Sequence, residues 1–281
     1  MSLFVCSIAS GSNGNCYYVG NETEAVLIDA GIPCKEIETR MKRSGLSLQN
    51  VKAVFVSHEH TDHISGLPVL AKKHQLPIFI TTPTLRNSKL RFEKELLNDF
   101  SGDVPVIIGD LTVTAFSKRH DAADPYSFTV SGNGVNVGVI TDIGRACENV
   151  IGHFSQCHAA FLESNYDEEM LLKGSYPWYL KNRIRNGQGH LSNREALDLF
   201  LGHRSQQLSH LFLSHLSRNN NCPKLVEELF TTHANGVKMI VASRFQESAV
   251  YQIQGLSKLA PNNFDVHVSQ PQLTFTFDSS L

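Results

Sequence analysis

The segment Ser57-His58-Glu59-His60-Thr61-Asp62-His63 constrains this chain more than any other stretch. It sets three histidines and two carboxylates within six residues, directly after the strand expected over Val51–Val56. Imidazole nitrogen and carboxylate oxygen are donors that suit zinc, manganese or iron. In an extended segment residues two apart face the same side, so His58 and His60 can reach one ion. Once the chain turns into a helix, Asp62 and His63 can face a neighbouring ion. Glu59, between two ligands, faces away. The fold must therefore end a buried strand at a metal centre.

The rest of the chain alternates strands with helices. Leu3–Ile8, Cys16–Val19 and Ala25–Ile28 are short β-rich runs joined by turn residues, as in a meander. The connection Ser10-Gly11-Ser12-Asn13-Gly14-Asn15 reads as a hairpin turn or as a loop at the mouth of the site. Ile37, Met41 and Leu46 mark a short amphipathic helix, with Gly45 near its end. A helix is expected over Ile64–His74. Further strands are expected at Ile78–Ile80, Leu111–Phe116, Phe128–Val130, Val135–Ile140, Ala159–Leu162 and Leu211–Leu213. Ser192-x-x-Glu195 is a capping-box pattern opening the helix Ala196–Leu201, and Lys224–His233 reads as another helix. Between Phe264 and Phe277, Val and Phe alternate with polar residues, as in an edge strand or hairpin. Strands with helices inserted between them fit a two-sheet sandwich flanked by helices, an α+β fold. No short repeat and no Pro/Gly/Ser-rich linker divides the 281 residues, so one domain over 1–281 is expected.

Composition excludes several classes. Hydrophobic residues make up 41% and charged residues 19%, the balance of an ordinary globular chain. No apolar run reaches the roughly 18–20 residues of a membrane span. The six cysteines, Cys6, Cys16, Cys34, Cys147, Cys157 and Cys222, form no C-x-x-C pair. The first apolar run, Leu3–Ile8, lacks a basic leader and is too short for a signal core. A cytoplasmic protein with reduced thiols is expected. The formal charge of −2 neither demands nor excludes a polyanionic partner.

The His-x-His-x-Asp-His string after a strand resembles the signature of the metallo-β-lactamase superfamily. The resemblance extends along nearly the whole chain. Asp29-Ala30-Gly31 is similar to its early structural Asp. His120, in Phe116-Ser117-Lys118-Arg119-His120-Asp121, is similar to its next metal-binding His. Asp142, in Thr141-Asp142-Ile143-Gly144, matches its bridging Asp, and His215, in Ser214-His215-Leu216-Ser217, its final His. The resemblance implies an αββα four-layer sandwich holding two divalent metal ions, zinc or manganese or iron. His58, His60 and His120 would hold one ion, Asp62, His63 and His215 the other, and Asp142 would bridge. The remaining histidines, among them His74, His153 and His158, lack partners at ligand spacing and read as surface or satisfied core groups.

A pair of ions so held generates hydroxide from a shared water and stabilises the oxygens of a displacement at phosphorus. The superfamily also includes lactamases, thioester hydrolases and lactonases, so fold alone does not choose the substrate. Two more segments are similar to its phosphodiesterase branch, which includes ribonuclease Z. Leu162-Glu163-Ser164-Asn165 is similar to an acidic motif, and Gly189-His190-Leu191-Ser192 to a Gly-His-Ser-Thr motif, from which Leu191 departs. Carried over, His190 becomes a general acid and Glu163 its orienter. Asp62, His190 and Glu163 are accordingly the candidate catalytic residues.

Several strings together resemble the narrower YycJ/WalJ family: Ser10 to Cys16, His120-Asp121-Ala122-Ala123-Asp124-Pro125, Glu163-Ser164-Asn165-Tyr166-Asp167, Tyr176-Pro177-Trp178 and Leu213 to Ser217. That resemblance implies a metal-dependent nuclease, a 5′–3′ DNA exonuclease, with nucleic acid as partner and no membrane. Asp142 to His215 is too short for the inserted domain of the β-CASP nucleases, so any grip must come from elsewhere. Trp178, Tyr179, Lys181, Arg183 and Arg185 mix aromatic and basic groups just before His190, with Arg194 following. Lys89, Arg91 and Lys94 form a second basic run. A small cyclic phosphodiester, or a thioester or lactone, remain alternative substrates, and the oligomeric state is open.

Overall fold

The computed structural model describes residues 2–255. The chain opens with β1 (Ser2–Ala9), β2 (Cys16–Gly20), β3 (Ala25–Ile28), α1 (Cys34–Arg43), β4 (Val51–Phe55), α2 (Thr61–Ile64) and α3 (Leu67–His74). Then follow β5 (Ile78–Phe79), α4 (Thr82–Ser88), β6 (Leu97–Asn98), β7 (Val106–Ile108), β8 (Leu111–Ser117), β9 (Tyr126–Gly132) and β10 (Val135–Ile140). The second half adds α5 (Glu148–Phe154), β11 (Ala159–Glu163), α6 (Glu168–Lys173), α7 (Trp178–Arg185) and α8 (Asn193–His203). It ends with β12 (His210–Ser214), α9 (Pro223–Thr231), β13 (Lys238–Val241) and β14 (Tyr251–Gln254).

These strands form two seven-stranded sheets, ordered β14-β1-β2-β3-β4-β5-β6 and β13-β12-β11-β10-β9-β8-β7. Each sheet is antiparallel in one part and parallel in the other. β1, β2 and β3 are antiparallel, then β4 and β5 follow in parallel. Likewise β8, β9 and β10 are antiparallel, then β11, β12 and β13 run parallel.

Why the central strands read as continuous apolar runs is visible in their side chains. In β3, Val26 and Ile28 face the other sheet, while Ala25 and Leu27 face the helices. A strand buried on both faces cannot alternate apolar with polar. One core lies between the sheets, where Phe55, Phe128, Phe161 and Phe212 meet. A second packs the first sheet against Ile37 and Met41 of α1 and Leu67 and Leu70 of α3. The third packs the second sheet against Phe154, Phe200 and Phe230 of α5, α8 and α9. The result is the four-layer αββα sandwich.

The helix expected over Ile64–His74 is two helices, broken at Ser65-Gly66. Gly66 donates to the Ala30 carbonyl at 2.8 Å, and a side chain there would run into the Ile32 carbonyl. The 30–32 turn thus presses on the chain where the break falls. Both halves of the capping box at Ser192 and Glu195 are present at the start of α8. Strands β13 and β14 were missed, although Asn235-Gly236 marks a turn before β13 and Tyr251-Gln252-Ile253-Gln254 alternates apolar with polar in β14. The strand or hairpin expected between Phe264 and Phe277 lies outside the described residues. No helix among the described residues is long and apolar enough to cross a membrane.

Candidate metal centre

Each candidate ligand follows the end of a strand, and three sharp turns aim side chains over the sheet edge. Asp29, Asp142 and His215 follow β3, β10 and β12 with φ of 62°, 54° and 56°. Non-glycine residues rarely adopt this left-handed region, and when they do the surrounding structure must hold them there. Here hydrogen bonds do so. Asp29 accepts from the Ser57 amide and hydroxyl, both at 2.8 Å. The His215 amide donates to Ser10 Oγ at 2.8 Å, and Asn165 Nδ2 donates to the His215 carbonyl at 2.7 Å.

The histidines are oriented from behind. His63 Nδ1 lies 2.7 Å from Asp29 Oδ2, and His120 Nδ1 donates to the Gly189 carbonyl at 2.9 Å. Ser57 Oγ lies 2.9 Å from His58 Nδ1. With Nδ1 engaged, the Nε2 atoms turn to the site, the usual arrangement of an imidazole prepared for a metal.

Ligand atoms of His58, His60 and His120 lie within 4.8 Å of one another, and so do those of Asp62, His63 and His215. Asp142 belongs to two further groups, with His58 and His63 and with Glu163, His190 and His215. Its Oδ2 lies 3.1 Å from His63 Nε2, with no well-aligned hydrogen bond among the described residues. A buried carboxylate oxygen whose nearest partners are converging imidazoles is the donor environment that a cation completes. The donor set fits divalent metal binding.

The electrostatics divide the histidines. Burial, then the charges of neighbouring His63 and Lys118, push His58 well below the ordinary value, and burial also lowers His60. Burial lowers His120 to about 3. These rings are neutral and keep free lone pairs. For His63 burial acts in the same direction, but Asp142, Asp29 and Asp62 outweigh it and raise the ring. His215 is raised likewise, burial being overcome by Asp142, Asp62 and Glu163. The carboxyls of Asp62 and Asp142 resist the upward pull of burial because these imidazoles face them, and both are lowered.

Glu163, at the end of β11, is buried and receives four contacts. Its Oε1 lies 2.7 Å from His190 Nδ1 and 3.0 Å from His215 Nδ1. Its Oε2 accepts from the Ile143 and Leu191 amides at 2.7 and 3.3 Å. Burial would raise this carboxyl, but His190 and these bonds hold it down at about 2. His190 lines a cavity of about 180 Å³ together with Ser12, Asp121, Asn165, Arg183 and Ser217. A larger cavity of about 690 Å³, lined by Arg119 and Arg145, lies beside the cluster but contains none of its ligands.

The expected grip is only partly on the surface. Its residues form α7, where Trp178 and Tyr179 are 61% and 75% exposed and Arg185 stacks over the Trp178 ring at 4.9 Å. Arg183 pairs with Asp121, next to His120. Lys181 must be corrected: it is 8% exposed, and its ammonium donates to the Leu172 carbonyl at 2.7 Å. On the helix it falls on the same buried face as Ile184 and ties α7 to α6. Arg194 pairs with Asp198 at 3.2 Å, which spends its charge. Lys89, Arg91 and Lys94 are exposed between α4 and β6.

Some functional side chains had no ligand-type signal. Asn15 Nδ2 donates to Asp62 Oδ2 at 3.2 Å and lies 3.1 Å from His63 Nε2. Lys118 Nζ donates to the Thr141 carbonyl at 2.7 Å and so ties the turns carrying His120 and Asp142. Their only sequence mark is a polar residue inside an otherwise buried loop or strand end. Glu59 Oε1 accepts from the Ala123 amide at 2.9 Å. His74 finds a partner after all: its Nε2 is 2.7 Å from Glu38 Oε1, with Cys34 nearby.

With this geometry in view, the likeness to known proteins is informative. A family described as "Beta-lactamase superfamily domain" matches residues 24–215. The exodeoxyribonuclease YycJ of Bacillus anthracis is 37% identical over 230 residues, 80% of this chain and 86% of that one. The exodeoxyribonuclease WalJ of Streptococcus pneumoniae is 30% identical, over 78% of this chain and 83% of that one. Among solved structures, the metallo-β-lactamase fold protein YhfI of Bacillus subtilis aligns with a TM-score of 0.69 at 18% identity. It covers 90% of this chain and 100% of its own.

Proposed function

The chain belongs to the beta-lactamase superfamily and to the YycJ/WalJ family within it, and from that premise we propose that it hydrolyses phosphodiester bonds of DNA from a 5′ end. It is a metal-dependent hydrolase; the choice of DNA and of polarity is the proposal. The observation that carries it is His190, fixed by Glu163 at 2.7 Å on the margin of the metal cluster.

His58, His60 and His120 would hold one ion, Asp62, His63 and His215 the other, with Asp142 between them. When bound, such ions supply hydroxide near neutral pH and positive charge for the phosphate oxygens. The chain's own groups supply the rest. Glu163 accepts the Nδ1 proton of His190 and leaves the other ring nitrogen to the cavity. From there the protonated imidazole delivers a proton to the departing oxygen. Asp62, partly exposed beside this cavity, is held by Asn15 and His215. Arg183 on the cavity wall offers a cation to a phosphate, in exchange with Asp121. The exodeoxyribonuclease relatives support DNA over the other substrates of the superfamily.

A cavity of about 180 Å³ also suits a small cyclic diester. Purified protein with Mn²⁺ or Zn²⁺, given 5′-labelled duplex and single-stranded DNA beside a chromogenic diester, decides between them. Release of labelled mononucleotide is expected, with kcat falling about 10²–10⁴-fold in His190→Ala while metal is retained. Cleavage of the small diester alone would overturn the DNA reading.

A further inference from the structure

On the other side of Ser217 from the His190 cavity lies a second one, of about 210 Å³, lined by Leu216, Ser217, Arg218, Val241, Arg244 and Phe245 among others. Among the described residues, none that lines it is acidic. Phe245 is 76% exposed, although its backbone is firmly held. The buried Arg40 donates to the carbonyls of Ile8 at 3.1 Å and Phe245 at 3.3 Å, and Ser10 N donates to the Ser243 carbonyl at 3.1 Å. A lone exposed Phe is unremarkable, but this one is mounted on a held backbone and lines the same cavity as Arg218 and Arg244.

Arg244 is fixed by Asn13 Oδ1 at 3.0 Å and by the Leu216 carbonyl, one residue beyond His215. Arg218 is exposed and makes no ion pair among the described residues. The two cations stand close enough that Arg218, after burial, lowers the affinity of Arg244 for its proton. Concentrated like charge beside an exposed ring, with no carboxylate among the described lining residues, is complementary to a chain of phosphates and flat bases.

We propose that Phe245, with Arg218 and Arg244, is a platform for single-stranded nucleic acid, stacking a base and neutralising phosphates on the strand that leads from the metal centre. This inference rests on the nuclease reading above and adds a grip separate from α7. It assigns the substrate class as single strand at this point, because inside a duplex the neighbouring pairs cover both faces of a base.

The test uses metal-loaded enzyme and compares turnover of a single-stranded oligonucleotide with that of a chromogenic diester. In Phe245→Ala the ratio kcat/KM(DNA) to kcat/KM(diester) is expected to fall roughly tenfold, through KM, and Phe245→Trp to restore it. In Arg218→Ala the slope of log kcat/KM against log salt should flatten by about 0.7, the share of one phosphate contact on a single strand. An unchanged ratio in both variants, with wild-type enzyme still degrading DNA, overturns the platform alone and leaves the nuclease reading intact. A parallel loss on both substrates also overturns it, since that would mark a structural role. Wild-type enzyme that cleaves only the diester overturns both.

Discussion

At the scale of single residues, the site is built by hydrogen bonds that approach the ligands from outside. His63 is set by Asp29, His120 by the Gly189 carbonyl, and His215 by Ser10 and Asn165. Of the two candidate ligand carboxylates Asp62 is the less buried, with 21% of its side chain exposed against 2% for Asp142, and therefore depends more on such support. Asn15 supplies it. Replacing Asn15 with Ala should weaken metal affinity about 10–100-fold, as loss of a supporting partner typically does. Chelator competition measures this; unchanged affinity would show that Asn15 serves only the turn. Among the candidate ligands, His58, His60, Asp62 and His63 were legible because donor type and close spacing are local properties, whereas His120, Asp142 and His215 were legible only through the family resemblance. Asn15 was legible only as part of a turn, since an amide has no ligand signature.

At the scale of elements, close approach between loops decides where the ligands stand. The 29–32 turn threads between the hairpin loop and α2: Ala30 N donates to the His63 carbonyl, and Gly31 N to the Asn15 carbonyl. A side chain at Gly31 would meet the Asp62 carbonyl and the Asn15 amide. Both are backbone and cannot swing aside, so Gly31→Ala should cost at least about 1–3 kcal/mol and reduce metal occupancy. Melting curves and metal content together check this, and a stable, fully loaded variant would contradict it. On the opposite face α1 meets α3 through Glu38, which accepts from Lys73 and His74. These bonds hold its carboxyl at about 2 against an ordinary 4.5. A depressed carboxyl stabilises the fold above its unfolded value and loses that contribution as pH falls through the folded one. The stability gap between wild type and Glu38→Gln should be open at neutral pH and close between about pH 4.5 and 2. Chemical denaturation across that window would reveal a gap that stayed constant, if the pair were not formed. His74 had no partner in the sequence pattern because Glu38 reaches it from 36 positions away.

For the whole molecule, the two sheets share an aromatic core that also supports the site. Phe161 of β11 lies 4.9 Å from the Tyr17 ring and 4.5 Å from the Phe212 ring. Tyr17 OH is bonded to Ser10 Oγ at 2.9 Å, and Ser10 receives the His215 amide. Phe161→Ala should destabilise the protein by about 3–5 kcal/mol through the cavity it leaves. It should also loosen metal binding through Tyr17 and Ser10. Denaturant titration with and without metal separates these effects, and a loss below about 1 kcal/mol would mean that the core closes over the gap.

Along the chain, the sequence by itself determined most of the strands and the His58–His63 donor cluster, because each depends on neighbours within a few residues: a run buried on both faces, then a donor, then a turn. The four layers and the candidate ligands His120, Asp142 and His215 followed from the family resemblance. Only the tertiary structure decided the rest. Ser10 and His215 meet although they stand 205 positions apart, and no spacing records such a pair. Lys181 is inside because α7 packs on α6, and the backbone of the exposed Phe245 is held by Arg40 of α1, 205 positions away. Burial and partnership arise when distant elements close on one another. Residue type alone leaves both open.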